Sequence, residues 1–264
     1  MTSAAPSWPT VLGLLAAGQD LDADSARWAL DQVMSGEATP EQIKELLLGL
    51  AAKGATAEEV AAAADAMRSA ALPVEVPGIL LDVVGTGGDS SGSVNFSTMA
   101  AIVAAACGAT IVKHGNRAAS SKSGTADVLE ELGLAIDLSP DAIASCAREL
   151  GIAFAFAQVL HPAMKHAAPV RRELGIPTIF NILGPLTNPA RPVAGLIGCS
   201  DARMAPVMAQ VFADRDFRNR DNVKAQLSAV RFVAGGVGLQ LGLRMRLDGA
   251  ARDPALVLAL WKNE

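Results

Sequence analysis

Two glycine-rich loops constrain the fold of this chain more than any other feature, because each comes directly after a short apolar segment. The sequence GTGGD (Gly85–Asp89) follows Ile79–Val84, and the sequence KHGNR (Lys113–Arg117) follows Ala109–Val112. A helix is predicted after each loop. Loops that leave parallel strands and enter helices meet at the carboxyl edge of an open α/β sheet. The pattern therefore predicts a βαβ unit with both loops at one edge of the sheet.

The residue types in the two loops are typical of anion binding. Glycines let the backbone approach a ligand closely, and free amides at a helix start attract negative charge. Helices are expected from about Ser97 and from about Thr125, and Lys113 and Arg117 add positive charge. Helix capping by Ser97 or its neighbour is the alternative interpretation, but it accounts for one hydroxyl and not for the cluster. We predict a ligand that carries more than one phosphate.

The composition excludes several classes of protein. The chain has 264 residues, of which 51% are apolar and 19% charged, and its formal net charge is −5. These values favour a globular fold without a basic surface for nucleic acid. The most apolar run, Met99–Val112, is too short to span a membrane, and the N-terminus lacks a signal-peptide pattern. We expect a cytoplasmic protein in which Cys107, Cys146 and Cys199 are buried, reduced thiols.

The first part of the chain is predicted to form four helices over residues 7–71. The segments Thr39–Gln42 and Thr56–Glu59 have the pattern of capping boxes, and Gly36 and Gly54 are predicted helix ends. Apolar residues recur at helical spacing between these signals. The pattern favours a helical packing or dimerisation domain without chemistry of its own.

The rest of the chain is predicted to be α/β, with a mainly parallel central sheet. The predicted domains are a helical domain over residues 1–77, on which helical segments near 161–187 pack, and an α/β domain over residues 78–264. Further predicted elements are helices over 140–150, 161–174 and 201–215, a strand over 195–199, and an antiparallel hairpin of 230–233 with 237–247 around Gly235-Gly236. At the charged segment Asp216–Asn222 the sequence changes from the α/β pattern to the alternating pattern of the hairpin.

Several side chains leave alternatives open. Placing the charge of Lys113 directly after an apolar strand costs free energy unless the charge meets an anion. A histidine such as His114 is more often packed within its loop than bound to a ligand. Of Arg171 and Arg172, one can be a solvated charge and the other could pair with a carboxylate. Glu130 is interpreted as helix surface. The first loop matches neither the GxGxxG dinucleotide motif nor a Walker motif.

The runs GTGGD, NFST, KHGNRAASSKSGTADVLEELG and HPAMKHAAPVRRELGIPTIFNILGPLTNP resemble the anthranilate phosphoribosyltransferases of tryptophan biosynthesis, over roughly Trp8 to Arg215. The resemblance implies a nucleoside phosphorylase/phosphoribosyltransferase-like fold, a homodimer formed through the helical domain, and the cofactor Mg²⁺. It implies transfer of phosphoribose from 5-phosphoribosyl 1-pyrophosphate (PRPP) to the amine of anthranilate, with release of pyrophosphate. The acceptor could also be that of a related transferase or nucleoside phosphorylase, but Asn116 and Arg171 favour a carboxylated aromatic amine.

The resemblance also implies the site residues. No side chain acts as an acid, base or nucleophile; Lys113 stabilises the leaving group, Ser97 binds magnesium, and Gly85, Asn116 and Arg171 contact anthranilate. The implied PRPP contacts are Gly85, Gly88, Asp89, Ser93, Asn95, Phe96, Ser97, Thr98, Lys113, His114, Gly115, Asn116, Arg117, Ala118, Ala119, Ser120, Ser121 and Thr125.

Residues 216–264 depart from the family pattern. The family carries a strand and a loop with an Asp-Glu pair that holds magnesium, and this sequence has no such segment after the predicted helix 201–215. We therefore expect a parallel sheet that is incomplete at its C-terminal end, with an exposed edge and apolar surface. A frameshift, deletion or altered gene end is one hypothesis for the tail. The alternative function is an inactive or degenerate PRPP-binding homologue.

Overall fold

The structure is a computed structural model that describes residues 5–88, 94–118, 124–214, 224–233, 237–246 and 255–262, with the backbone alone from residue 213 onward. The chain divides into two compact units, Met1–Met204 and Ala205–Glu264. The first unit contains a helical bundle and a parallel α/β sheet. The second unit consists of a helix and an antiparallel sheet.

The helical bundle comprises α1 (Trp8–Ala16), α2 (Ala23–Ser35), α3 (Pro40–Lys53) and α4 (Ala57–Ser69). The two predicted capping boxes are confirmed, because Thr39 and Thr56 each exchange hydrogen bonds with the residue three positions later. Gly36 and Gly54 end α2 and α3 as predicted. Leucine and alanine side chains of all four helices fill the interior.

The α/β part contains four parallel strands in the order β3-β2-β1-β4. They are β1 (Leu80–Gly85), β2 (Thr110–Gly115), β3 (Ile152–Phe156) and β4 (Ala194–Gly198). The helices between β1, β2 and β3 are α5 (Phe96–Ala106), α6 (Thr125–Glu131) and α7 (Pro140–Leu150). The predicted fold class, a small helical domain followed by an α/β domain with a parallel sheet, is confirmed. Strand β3 is an element that the sequence patterns did not reveal.

The boundary of the second loop differs from the prediction. The strand was expected to end at Val112, but β2 continues to Gly115, so Lys113 and His114 are strand residues. Their side chains are buried, with 4% and 2% exposed. Pairing with β3 extends the strand, because Lys113, His114 and Gly115 all lie in register with residues 154–156. Polar residues mistaken for a loop thus form part of the sheet interior.

The helix predicted over 161–174 is also wrong as a single element. The chain forms α8 (Ala157–Leu160), a 3₁₀ turn (Pro162–Lys165) and α9 (Ala168–Leu174). His161 has the non-helical angles φ −118° and ψ 64°, because the residue before a proline avoids the helical region. Helix α10 (Phe180–Leu183) and a second 3₁₀ turn, Gly184–Leu186, follow.

Segments of this region contact the bundle. Helix α9 packs on α3, where Lys44 Nζ and Glu173 Oε1 form an exposed ion pair at 2.6 Å. The 3₁₀ turn Pro162–Lys165 contacts α2, and α10 contacts α4. Residues 161–187 therefore lie between the bundle and the sheet.

Strand β4 leaves much apolar surface uncovered. Within the described parallel sheet it pairs only with β1, and Leu196 on it is 63% exposed. Helix α5 likewise exposes Phe96, Met99 and Val103. An exposed edge with apolar surface agrees with the sheet expected from the sequence.

The second unit contains α11 (Met204–Asp214) and the antiparallel strands β5 (Lys224–Val233), β6 (Val237–Arg246) and β7 (Ala255–Lys262). The predicted hairpin is confirmed, because β5 pairs with β6 from Lys224–Arg246 to Val233–Val237. Strand β7 pairs with β6 on the other side and was not predicted. The predicted turn at Gly235-Gly236 and the charged segment Asp216–Asn222 lie outside the described residues.

Among the helices that the structure describes, none is both long and apolar enough to cross a membrane. The expectation of buried cysteines is wrong: Cys107 is exposed, and Cys146 and Cys199 are half-buried. Cys107 follows the last residue of α5 on the helix end that faces solvent, which the apolar run around it concealed. All three are free thiols in the described structure, and their reduced state in solution stays a prediction.

Candidate functional site

The starts of the two helices that follow the glycine-rich loops lie side by side. Asn95 caps α5 by accepting a hydrogen bond from the Thr98 amide at 3.1 Å. The Thr98 hydroxyl and the Asn95 Nδ2 both donate to Thr125 Oγ1, at 3.4 and 3.5 Å. Thr125 is the first residue of α6, so its hydroxyl joins the two helix starts. The expectation that the loops meet at one sheet edge is therefore confirmed.

The first loop is supported by the end of β4. The Thr86 amide donates to the Gly198 carbonyl at 3.0 Å, and Ser200 Oγ donates to the Gly87 carbonyl at 2.7 Å. The Ser200 amide donates to Thr86 Oγ1 at 3.1 Å. Gly87 has a φ of 68°, which a residue with a side chain rarely adopts. Sequence reasoning missed Ser200, although a polar residue just after a predicted parallel strand is a usable signal.

Asp127 closes the second loop. Its Oδ2 accepts hydrogen bonds from the amides of Ala118 and Gly124, at 3.0 and 2.7 Å. A Cβ on Gly124 would lie 2.3 Å from the Ala118 nitrogen, so the closure requires glycine at this position. The two hydrogen bonds hold the pKa of Asp127 below its usual value. One carboxylate thus joins residue 118 to residue 124.

Arg117 is engaged by carboxylates of the protein itself. Its guanidinium contacts Asp127 at 3.1 Å and forms a two-pronged ion pair with Glu130, and it lies 5.6 Å from the centre of the Phe156 ring. These anions raise the pKa of Arg117. Glu130 is exposed, as its interpretation as helix surface requires, but it also has this specific partner. The sequence did not reveal the pairing because Arg117 and Glu130 lie on opposite sides of the loop.

Asn116 lies at the exposed tip of β2. Its Oδ1 accepts from the Arg117 amide at 2.8 Å and from Gln158 Nε2 at 3.2 Å. These bonds orient the side-chain amide and leave its NH₂ group without a partner among the described residues. Gln158, on α8, is a second residue at this position that sequence reasoning missed.

Lys113 is buried between strands instead of projecting into a loop. Its Nζ donates to the Val83 carbonyl, two residues before Gly85. Burial lowers the pKa of Lys113 to about 8, and the nearby Asp82 carboxylate opposes the shift. The ammonium group therefore remains charged at neutral pH beneath the first loop.

His114 and His161 form a buried pair. His114 Nδ1 lies 2.9 Å from the Gly184 carbonyl, and the two Nε2 atoms are 3.2 Å apart. Only an N–H can bond a carbonyl, so His114 carries its proton on Nδ1, and its Nε2 accepts from His161 Nε2. His161 Nδ1 is then an acceptor, and it is buried without a hydrogen-bond partner in the described structure.

Both histidines are neutral in this environment. Burial lowers the pKa of His114 to about 4. Burial and the neighbouring His114 lower the pKa of His161 to about 3, while the carbonyls of Met67 and Thr187 partly oppose that shift. The preference for a packed His114 is confirmed by its burial, and the His161 partner was not foreseen.

Asp82 and Asn188 complete the polar interior beneath the loops. Asp82 Oδ1 accepts from the His114 amide at 3.1 Å, and Oδ2 accepts from Asn188 Nδ2 at 2.8 Å. Burial raises the pKa of Asp82 to about 6, and these hydrogen bonds and Lys113 act against the shift. Sequence reasoning passed over both residues, although an aspartate inside the apolar strand β1 was a visible signal.

Arg171 is placed differently from Arg172. Arg171 is half-buried, with its guanidinium 5.1 Å from the centre of the Phe180 ring, whereas Arg172 is exposed. Burial lowers the pKa of Arg171. In the part of the chain that the structure describes, no carboxylate pairs with Arg171. An arginine held on an aromatic ring without an internal anion is suited to an anionic ligand.

The remaining predicted site residues divide into two groups. Gly85, Gly88, Phe96, Ser97, Gly115 and Ala118 lie at the strand ends and helix starts of the two loops, with Phe96 65% exposed and Ser97 half-buried. The described contacts include none between Arg171 and either loop. Asp89, Ser93, Ala119, Ser120 and Ser121 lie outside the described residues.

The described donors do not form a magnesium site. Over the ranges given above, no group of three or more His, Cys, Asp and Glu side chains is placed to hold a metal ion. Ser97 contributes one neutral hydroxyl, whereas Mg²⁺ is usually held by carboxylates together with phosphates of a substrate. The predicted role of Ser97 stays a prediction.

Comparison with known families gives two matches. A family model described as "Glycosyl transferase family, helical bundle domain" matches residues 9–71, and one described as "Glycosyl transferase family, a/b domain" matches residues 77–223. Together they cover the bundle and the parallel sheet.

Curated relatives share high identity with the chain. It is 62% identical over 215 residues to an anthranilate phosphoribosyltransferase of Saccharopolyspora erythraea, covering 81% of this chain and 61% of the relative. It is 51% identical over 257 residues to one of Rhodococcus opacus, covering 94% and 71%. The second alignment therefore continues well past Asp216. The chain spans about three fifths of the length of several curated relatives, for example 61% of one from Nocardioides sp. and 60% of one from Mycobacterium sp..

Solved structures of similar fold include two such enzymes. The anthranilate phosphoribosyltransferase of Thermus thermophilus superposes with a TM-score of 0.79 at 38% identity, covering 94% of this chain and 72% of that chain. The one from Saccharomyces cerevisiae, in complex with PRPP and Mg, gives 0.76 at 26% identity, covering 90% and 72%. Both superpositions extend over at least nine tenths of this chain.

Proposed function

We propose, since this chain belongs to the anthranilate phosphoribosyltransferase family, that it transfers phosphoribose from PRPP to the amine of anthranilate in tryptophan biosynthesis. The observation that carries the proposal is the joining of the two glycine-rich loops through Thr125. This contact puts the starts of α5 and α6, each preceded by a glycine-rich loop, side by side. A ligand with a phosphate at one end and a pyrophosphate at the other matches two such starts better than a mononucleotide does.

PRPP is proposed to lie across the two loops. The amides of the first loop and the start of α5 can donate to phosphate oxygens, and Asn95 and Thr98 stabilise that helix start. The buried Lys113 contributes positive potential from below. His114 offers a ligand no free hydrogen-bond donor in the described structure, because its imidazole is bonded inside the protein and its amide donates to Asp82. Arg117 is held by Asp127 and Glu130, so a phosphate would share it with these carboxylates.

Anthranilate is proposed to bind through Arg171 and Asn116. A guanidinium without an internal anion can bond a carboxylate with two parallel hydrogen bonds. The NH₂ group of Asn116 has no partner among the described residues and can donate to the substrate, while its Oδ1 is held by Gln158 and the Arg117 amide. This arrangement favours a carboxylated aromatic amine over a neutral nucleobase.

The reaction needs no activated side chain. The anthranilate nitrogen forms a bond to ribose C1 as the bond from C1 to the pyrophosphate oxygen breaks, and the nitrogen then loses a proton. Positive charge develops on the sugar and negative charge on the leaving group. Lys113 and the loop amides stabilise the negative charge, and alignment of the two substrates supplies much of the remaining rate enhancement.

Several features of the family remain proposals for this chain. Magnesium is proposed to reach the site with PRPP and to contact Ser97, but no step above depends on it, because the described side chains do not form a metal site. The homodimer through the helical bundle and the cytoplasmic location are likewise proposed.

The proposal is tested by calorimetric titration of the chain with PRPP, with and without Mg²⁺, followed by measurement of anthranilate consumption and pyrophosphate release. We expect saturable binding of PRPP and turnover when anthranilate is added. Binding without turnover would instead indicate a PRPP-binding homologue that has lost the activity. The absence of PRPP binding by the folded chain would contradict the proposal.

A pair of matched variants connects the result to the loops. Thr125→Val removes the hydroxyl that accepts from both Asn95 and Thr98. Thr110→Val makes the same substitution at the first residue of β2, at the end of that strand away from the second loop. We expect PRPP affinity to fall about tenfold in the first variant, the equivalent of about 1.4 kcal/mol, and to remain unchanged in the second. An equal change of PRPP affinity in the two variants would show that the Thr125 contacts do not shape the PRPP site, which would contradict the proposal.

A further inference from the structure

We propose that Asn188 and Asp82 are positioning residues that set the spacing between the two glycine-rich loops, an inference that rests on the proposed function. Neither side chain can touch a substrate, because Asp82 is 1% and Asn188 4% exposed. They act instead on the strands that carry the loops. The sheet geometry between β1 and β2 leads to this assignment.

Strands β1 and β2 pair only at their beginnings. Their regular parallel pairing covers Leu80 with Thr110 and Leu81 with Ile111. Beyond that point β1 continues to pair with β4 as far as Gly85, and β2 with β3 as far as Gly115. The carboxyl halves of the two central strands therefore follow different neighbours, and the loops leave from the two sides of this gap.

Asn188 bridges the gap. Its Nδ2 donates to Val112 O on β2 and to Asp82 Oδ2 on β1, each at 2.8 Å. Its Oδ1 accepts from the Ala190 amide at 2.9 Å, which fixes the orientation of the side chain. Both N–H groups and the carbonyl of the carboxamide are thus used. The amide is a spacer of defined length between two strands that no longer pair directly.

Asp82 extends the bridge to the second loop. Its other oxygen accepts from the His114 amide at 3.1 Å, so the carboxylate takes the place of the missing strand-to-strand hydrogen bond. His114 immediately precedes Gly115 and Asn116, and its ring is held by the Gly184 carbonyl and by His161. Movement of Asn188 or Asp82 would therefore move the start of the second loop relative to the first.

The spacing matters for a ligand that binds both loops at once. A change in the separation of the loops weakens the binding of a substrate with two phosphate-bearing ends more than it weakens the binding of a single phosphate. The positioning role consequently predicts a selective loss of PRPP affinity, with inorganic pyrophosphate affected less. A purely structural role predicts loss of stability without this selectivity.

The test compares Asn188→Asp, Asp82→Asn and the exchanged double variant. Asn188→Asp puts two carboxylates against each other, and Asp82→Asn puts an NH₂ group against a donor. The double variant restores a donor opposite an acceptor between positions 82 and 188, but it puts a carboxylate oxygen where the amide donated to the Val112 carbonyl. We expect PRPP affinity to fall at least tenfold in each single variant and to recover in part in the double variant.

Amide hydrogen exchange of the ligand-free protein gives a readout that is independent of the proposed function. The single variants are expected to exchange faster at His114 and at residues 115–118, and the double variant is expected to regain protection there. Glu59→Gln, at a buried carboxylate of the helical bundle, is the control for general destabilisation. It should lower the melting temperature without changing exchange at residues 113–118 or PRPP affinity.

Loss of stability in the variants at positions 82 and 188, with loop exchange and PRPP affinity unchanged, would overturn the proposal. Failure of the parent chain to bind PRPP would refute the proposed function, while the exchange measurement would still decide whether the bridge sets the loop. If the variants Asn188→Asp and Asp82→Asn do not fold, Asn188→Ala removes the bridge and leaves the Asp82–His114 bond in place. Unchanged loop exchange in that variant would overturn the proposal equally.

Discussion

The helical bundle and the parallel sheet each bury one carboxylate, and the two are held in different ways. Glu59, which is 1% exposed, accepts from the Leu21 and Thr56 amides, both at 2.8 Å, and from Lys53 Nζ at 2.7 Å. Lys53 and Thr56 lie within six residues of it. Asp82 is equally buried, but its partners Asn188 and His114 are 106 and 32 residues away, and it forms no direct ion pair in the described structure.

The difference separates a structural carboxylate from one that organises a site. Glu59 neutralises a lysine and completes a capping box, so its contacts stabilise the fold of the bundle. Asp82 joins strands whose ends carry the ligand loops. A change at Glu59 should therefore affect stability, whereas a change in the sheet interior should affect the site as well.

Replacement of Glu59 by alanine should give the largest loss of stability. The change leaves two buried amides without their acceptor and removes the buried partner of Lys53, whose ammonium keeps the exposed Asp20 carboxylate at 2.9 Å. Unsatisfied buried amides cost about 1–3 kcal/mol each, so we expect a total loss of about 3–5 kcal/mol. Urea unfolding measures this loss. PRPP affinity of the molecules that remain folded should be unchanged.

Glu58→Ala is the matched control for this prediction. Glu58 is the exposed neighbour on the same helix and accepts one hydrogen bond, from the Ala23 amide at 3.3 Å. Its removal should change stability by less than about 0.5 kcal/mol. A loss of PRPP affinity in Glu59→Ala would break the distinction between the two carboxylates.

The loss of folding stability at acid pH should originate in the sheet interior. The pKa values of His114 and His161 fall to about 4 and about 3, below the usual 6.5, so these rings stabilise the fold above pH 6.5. This contribution is lost as pH falls, by about 1.4 kcal/mol per pH unit for each ring between about pH 6 and 4. Asp82, whose pKa is raised to about 6, works in the opposite direction and offsets part of the loss.

Replacement of His161 by glutamine should reduce the pH dependence of the free energy of unfolding by roughly 1.4 kcal/mol per pH unit. The reason is that the variant lacks one imidazole that is neutral in the folded chain and protonated in the unfolded chain. Equilibrium unfolding at a series of pH values between about 7 and 4.5 measures the slope. An unchanged slope in the variant would show that the acid sensitivity has another origin.

Arg171→Lys should selectively weaken the use of anthranilate. Lysine keeps the charge but loses the planar pair of donors and the stacking on Phe180, which corresponds to about 2 kcal/mol, or roughly thirtyfold in KM for anthranilate. Arg172→Lys is the control, because Arg172 is the exposed neighbour on the same helix. Equal effects of the two substitutions would remove Arg171 from the proposed acceptor pocket.

Ser200→Ala should have the smallest effect. The hydroxyl supports the first loop through the Gly87 carbonyl, but it is exposed, so its loss should weaken PRPP binding by no more than about 1 kcal/mol, or fivefold. Ser69→Ala removes an exposed hydroxyl of the bundle that accepts from Arg27, and it should leave the affinity unchanged. Titration with PRPP distinguishes the two, and identical affinities would show that β4 does not support the loop.

The bundle could be predicted closely because its signals are local. Thr39 and Thr56 with the residues three positions later define helix starts through backbone hydrogen bonds that any chain context preserves. The same holds for the antiparallel hairpin, whose alternating residues are adjacent in sequence. The family resemblance then supplied a set of site residues that composition and spacing do not contain.

The sheet interior could be predicted less well because its contacts join distant segments. Lys113 and His114 were placed in a loop, since nothing nearby in sequence indicates that β3 pairs with them. Strand β3 itself was missed, as was the ion pair of Arg117 with Glu130 across the second loop. These outcomes depend on which strands become neighbours.

The sequence by itself determined the helices of the bundle, their caps and the family of the chain, because these follow from short-range backbone preferences and long motifs. Only the tertiary structure decided that β1 and β2 part after Ile111 and that Asn188 spans the gap. The physical reason is that a buried donor or acceptor must find a partner wherever the folded chain offers one. For Asp82 that partner comes from a segment 106 residues away.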